Sequence, residues 1–171
     1  MAKRLSEEAE RGFLEVLGRH EQLINKVIRI YAVDLENRRD LFQEIVYQLW
    51  RSYGSFKGDS NISTWLYRVA LNTAITSLRK SKKVPEHTEL DDQFQFISTP
   101  GSFDTSDRSE QVEQLYSAIR SLGEVDRALV MLYLEELSYK AIGEVLGLTE
   151  DNVGVKLNRI KTRLRVLIGS N

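Results

Sequence analysis

The chain's two prolines, Pro85 and Pro100, both fall in one stretch, residues 84–108, and nowhere else in its 171 residues. Proline removes a backbone donor and clashes with the preceding helical turn, so it ends helices. The same stretch is rich in Asp, Ser and Thr, a composition that buries little apolar surface. It reads as a flexible acidic linker between two proline-free arms. Phe94, Phe96, Ile97 and Phe103 sit oddly in it. Two readings stand: they pin the linker to a neighbouring domain, or they become ordered on a partner.

Both arms carry helical periodicity. Before the linker, Phe13, Leu14, Leu17, Ile24, Val27, Ile28 and Tyr31 predict helix across residues 8–30. Leu41, Ile45 and Leu49 recur at i, i+4 and line one apolar face. Leu66, Val69, Ala70, Thr73 and Leu78 extend the pattern over residues 62–78. After it, helices are predicted over residues 112–122, 124–136, 138–146 and 149–168. No window alternates apolar and polar residues with a period of two, so no sheet is expected. The expected fold is all-α: two small helical domains, residues 1–83 and 109–171, joined by the linker at 84–108.

The net charge of −1 hides a strong pattern. Residues 51–83 hold seven bases and one acid, residues 84–112 one base and seven acids, and residues 150–171 five bases and two acids. Local fields rather than the sum steer a polyanion, so two basic blocks point to nucleic acid. The chain has no cysteine, which excludes disulfides and cysteine-based zinc sites. No apolar run approaches the ~20 residues that span a bilayer, and MAKRLSEEAERGF lacks a signal-peptide core. No membrane insertion is expected, and the expected location is the cytoplasm. His20 and His87 lie in dissimilar contexts, and no phosphate loop or nucleophile triad is evident. Neither catalysis nor a metal or cofactor is expected.

The C-terminal arm has the outline of a helix-turn-helix. Ser138 and Thr149 are good N-caps, and Gly147 sits where a helix should stop. Ile142, Leu146, Leu148, Val153 and Leu157 should pack the two helices, with Gly143 allowing close approach. The apolar stripe continues through Ile160, Leu164 and Leu167. The outward positions of the second helix are Glu150, Asp151, Asn152, Val155, Lys156, Arg159 and Arg163, a basic recognition face. A helical hairpin with a solvated basic face remains the competing reading.

In the N-terminal arm, Asp40, Gln43 and Glu44 share one side of a helix, and Gln48 extends it by a turn. That side is either solvated or a docking face. The loop Phe56, Lys57, Gly58, Asp59, Ser60 and Asn61 follows, with Trp65 beyond it. Gly58 allows positive φ, and Asp59, Ser60 or Asn61 could cap the next helix. Phe56 and Trp65 either bracket an unstacked base or are core aromatics. Arg68, Asn72 and Arg79 lie at spacings of four and seven, with Lys80, Lys82 and Lys83 adding charge. Asn reads base edges, whereas Lys and Arg mostly hold phosphates.

Taken in order, DLFQEIVYQLW, FKGDSNISTWLYRVALNTAITSLRK, an acidic linker and LSYKAIGEVLGLTEDNVGVKLNRIKTRL closely resemble an extracytoplasmic-function sigma factor of bacterial RNA polymerase, over about residues 10–168. The resemblance implies a transcription initiation subunit with sigma domains 2 and 4. It implies that Asp40, Gln43, Glu44 and Gln48 dock on the polymerase core. It implies that the loop from Phe56 to Asn61 captures a flipped base of the −10 element, with Trp65 beside it and Asn72 helping to read it. Arg79, Lys80, Lys82 and Lys83 would contact the DNA backbone. The helix from Glu150 to Arg163 would enter the major groove of the −35 element. Core polymerase and promoter DNA are the implied partners, with an anti-sigma factor as an inhibitory one, and the free chain is expected to be monomeric. The chain departs from the family where many members show a basic residue then Ser and this one has Gly154 and Val155. The competing function is an autonomous helix-turn-helix regulator that binds duplex DNA without polymerase.

Overall fold

Periodicity of 3.6 over two proline-free arms leaves helix as the way to satisfy the backbone and bury one face, and helices are what form. The computed structural model describes residues 6–82 and 110–169. The predicted linker, with Phe94, Phe96, Ile97 and Phe103, and Lys83 lie outside the described residues. Among those described there are eight α-helices and no strand. The chain divides into two compact units, Met1–Val84 and Pro85–Asn171.

Unit 1 contains α1 (Glu7–Arg19), α2 (Glu21–Tyr31), α3 (Leu35–Tyr53) and α4 (Ile62–Lys82). The Ala9 N–H donates to Ser6 Oγ at the start of α1, where Glu7, Glu8 and Glu10 also face the positive end of the helix dipole. The predicted helix over 8–30 is in fact two. It breaks at His20 (φ −116°, ψ 18°), just past Gly18, where glycine weakens helix. The second piece, α2, is the core: Leu23, Ile24, Val27, Ile28, Ile30 and Tyr31 are all buried. It packs against α4 and α3, which also pack on each other. Asp34 caps α3 by accepting from Asn37 N–H at 2.8 Å. The predicted stripe Leu41, Ile45 and Leu49 points into the core. Full burial of each such side chain contributes about 2 kcal/mol.

Unit 2 contains α5 (Glu110–Arg120), α6 (Glu124–Leu134), α7 (Tyr139–Leu146) and α8 (Glu150–Gly169), with α8 packed on the other three. The predicted helix over 124–136 stops at Leu134. Glu136 adopts φ 62°, and the Leu137 N–H turns back to the Leu132 carbonyl, a left-handed helix stop made without glycine. Ser138 Oγ accepts from Ala141 N–H and Thr149 Oγ1 from Asn152 N–H, so both expected caps form. Gly147 takes φ 70°. At Gly143 the close approach is to the turn rather than to a helix: a Cβ there would stand 2.5 Å from the Leu148 carbonyl oxygen. The apolar stripe of α8 is buried at Val153, Leu157 and Ile160 but becomes half-buried at Leu164, and Leu167 is 39% exposed. Its far end instead borders an apolar groove of about 450 Å³, lined by Leu115, Val130, Tyr133, Leu134, Leu164 and Ile168 among others.

Candidate nucleic-acid interface

In unit 1 the site grows from the junction of α3 and α4. Ser52 Oγ donates to the Gln48 carbonyl and Ser55 Oγ to the Ser52 carbonyl, closing the end of α3. The chain then runs through Phe56 to Asn61. Gly58 takes φ 76°, a conformation side chains rarely adopt. Of the three residues able to cap α4, Asn61 does so, its Oδ1 accepting from Ser63 N–H at 3.1 Å. Lys57, Gly58, Asp59 and Asn61 are exposed, and Phe56 and Ser60 are half-buried.

An aromatic ladder fixes this loop to the fold. Phe13 of α1 meets Trp50 edge-on at 5.1 Å and Tyr53 at 5.4 Å, Tyr53 meets Trp65 at 6.3 Å, and Trp65 meets Phe56 at 5.1 Å. Trp65 is only 8% exposed. Its ring is largely covered by the core, whereas Phe56 is half-buried. The two aromatics thus differ in burial, Trp65 in the core and Phe56 at its edge.

Beyond the ladder, α4 presents Asn72, Arg79 and Lys80 to solvent, with Arg68 half-buried. On α3, Asp40, Gln43 and Glu44 are exposed and Gln48 half-buried, its Nε2 donating to Glu44 Oε1 at 2.9 Å. The two helices enclose a polar groove of about 500 Å³. Asp40, Glu44 and Gln48 form one wall, and Asn72, Thr73, Thr76, Ser77 and Lys80 the other. Sequence reasoning missed the three hydroxyls as groove residues; of them, Thr76, four residues after Asn72, shares its face of the helix. Thr73 Oγ1 is engaged with the Val69 carbonyl at 2.7 Å.

In unit 2 the face of α8 is open as expected. Glu150, Asp151, Asn152, Val155, Arg159 and Arg163 are exposed, and Lys156 is half-buried. Gly154 lies on a different side: a Cβ there would rest 3.4 Å from the Tyr139 ring of α7. Among the described residues no cluster of His, Cys, Asp or Glu could hold a metal ion, and no helix is long and apolar enough to cross a membrane.

Comparison with known proteins gives each unit a counterpart. Residues 16–84 match the family model for Sigma-70 region 2, and residues 112–164 the model for Sigma-70, region 4. The RNA polymerase sigma-H factor of Pseudomonas aeruginosa is 30% identical over 158 residues, 85% of this chain and 80% of that protein. The ECF RNA polymerase sigma factor SigM of Mycobacterium tuberculosis is 27% identical over 161 residues, 92% of this chain and 77% of the relative. Among solved structures, the sigma factor RpoE in complex with the anti-sigma factor NepR from Bartonella quintana aligns with TM-score 0.68 at 19% identity, covering 96% and 98% of the two chains. CnrH in complex with the cytosolic domain of CnrY aligns with TM-score 0.67 at 17% identity, covering 95% and 90%. At such identities these two structures speak to the fold.

Proposed function

The chain belongs to the extracytoplasmic-function class of the sigma-70 family of RNA polymerase sigma factors, and from that membership we propose how its two units divide the work. As a sigma factor it directs core polymerase to particular promoters and promotes the melting that starts transcription. The observation that carries this is the presence of both sigma regions, in order, on one chain.

Unit 1 docks on core polymerase through Asp40, Gln43, Glu44 and Gln48 and captures the melted −10 strand. Phe56 stacks on an unstacked base from a loop that Gly58 shapes and Trp65 backs. Asn72 reads a base edge, and Arg68, Arg79 and Lys80 hold the strand's phosphates. Stacking and base-edge contacts, about 1–3 kcal/mol each, offset an unstacking cost of a few kcal/mol. Unit 2 lays α8 in the −35 major groove, with Lys156, Arg159 and Arg163 on phosphates or bases. Function is by differential binding, without catalysis and without a cofactor, in the cytoplasm where polymerase works. The free chain is a monomer, and an anti-sigma factor is its inhibitory partner.

Transcription by purified core polymerase on a genomic promoter library, with and without the protein, tests this. Promoter-specific initiation that requires the protein is expected. Tight duplex binding without such initiation would mean an autonomous regulator instead.

A further inference from the structure

On the exposed side of α8, Val155 breaks an otherwise polar pattern. It is 51% exposed, and its neighbours on that face, Asp151, Asn152 and Arg159, are polar and exposed as well. A single exposed apolar side chain is ordinary, so exposure alone decides nothing. What distinguishes Val155 is its place. It lies in the first two turns of α8, the part of a recognition helix that meets base edges. The other exposed large apolar side chains described in unit 2 lie on α5, α6 or the last turn of α8. Burial gives the fold little reason for valine here.

We propose that Val155 contacts the 5-methyl group of a thymine in the upstream promoter element. This rests on the reading of α8 as the −35 helix and adds which base chemistry it selects. In the major groove thymine alone offers a methyl group, and apolar side chains read it. A β-branched side chain on a helix holds essentially one rotamer, so its methyls are presented in a fixed direction. The neighbouring Gly154 faces α7 instead, where a Cβ would lie in ordinary contact, 3.4 Å from the Tyr139 ring. Only Val155 of the pair therefore carries specificity.

The test uses the full chain with core polymerase. Duplexes selected from a randomised promoter pool are resynthesised with each upstream thymine replaced in turn by deoxyuridine, which removes only the methyl. Closed-complex affinity should fall about threefold to fourfold at one position, the effect of losing one buried methyl. Val155→Ser should bind the thymine and deoxyuridine duplexes equally, and Val155→Ile should keep the difference. A selected element without thymine, no position sensitive to the methyl, or an unchanged difference in Val155→Ser would overturn the assignment while leaving the sigma reading intact. A protein that selects no duplex even with polymerase present would overturn both.

Discussion

Trp65 seats Phe56: their ring centroids stand 5.1 Å apart at 38°, and the tryptophan is the buried member. On the proposed reading, strand capture depends on a core residue. Trp65→Ala should destabilise unit 1 by about 3–5 kcal/mol, and Trp65→Phe, which keeps an aromatic ring, by much less. Urea unfolding measures the stability, and permanganate footprinting of melted promoter measures the function. If Trp65→Ala leaves stability unchanged, Trp65 is not the seat described above.

Asn72 offers the opposite case. It is exposed, so Asn72→Ala should alter stability by no more than about 0.5 kcal/mol. Losing a base-edge contact of about 1–3 kcal/mol should lower open-complex formation about fivefold or more and leave closed-complex binding nearly untouched. Heparin-resistant complexes compared with total bound promoter report the split. Equal loss of both would remove Asn72 from the strand-reading role.

Arg159 and Arg163 should act through charge. If Arg163 sits on a phosphate, Arg163→Ala weakens promoter binding on all sequences alike, and the slope of log affinity against log salt flattens by about 0.9. An unchanged slope would place Arg163 off the DNA backbone. Arg159→Ala, if Arg159 meets a base, should instead relax preference at one position of the selected upstream element.

Two backbone positions in unit 2 should respond with opposite signs. Glu136 occupies the left-handed region, which costs an ordinary residue about 1–2 kcal/mol, so Glu136→Gly should raise stability by about 1 kcal/mol. Gly143→Ala would drive a methyl to 2.5 Å from the Leu148 carbonyl oxygen and should cost about 2 kcal/mol or more through the forced shift. Thermal melts of the two variants decide both.

Most of the helices were legible because apolar spacing and capping residues are local signals. Ser138, Thr149 and the Leu41–Ile45–Leu49 stripe needed only neighbours in sequence. The errors arose where tertiary packing outweighs local preference. Gly18 hinted at the break at His20, but Gly12 sits inside the unbroken α1, so glycine alone did not mark it; nothing marked Glu136 as a helix stop, since glycine is the usual signal there. Arg29 is 5% exposed although its charge suggests a surface. Site chemistry was readable as residue types on helix faces. The burial of Trp65 and the groove joining α3 to α4 were not, because both depend on how separate helices meet.

That groove carries a consequence for how such a protein can change. Asp40, Glu44 and Gln48 form one wall, with Asn72 and Lys80 in the other. On the assignments above, the first wall meets polymerase and the second DNA. A lineage, or a designer, that retunes one wall alters the field and the space felt by the other. Promoter choice and polymerase fit in unit 1 should therefore drift as a pair. On the same assignments no polymerase-docking residue lies on the exposed face of α8, so −35 preference is the part of this reader that could be exchanged on its own.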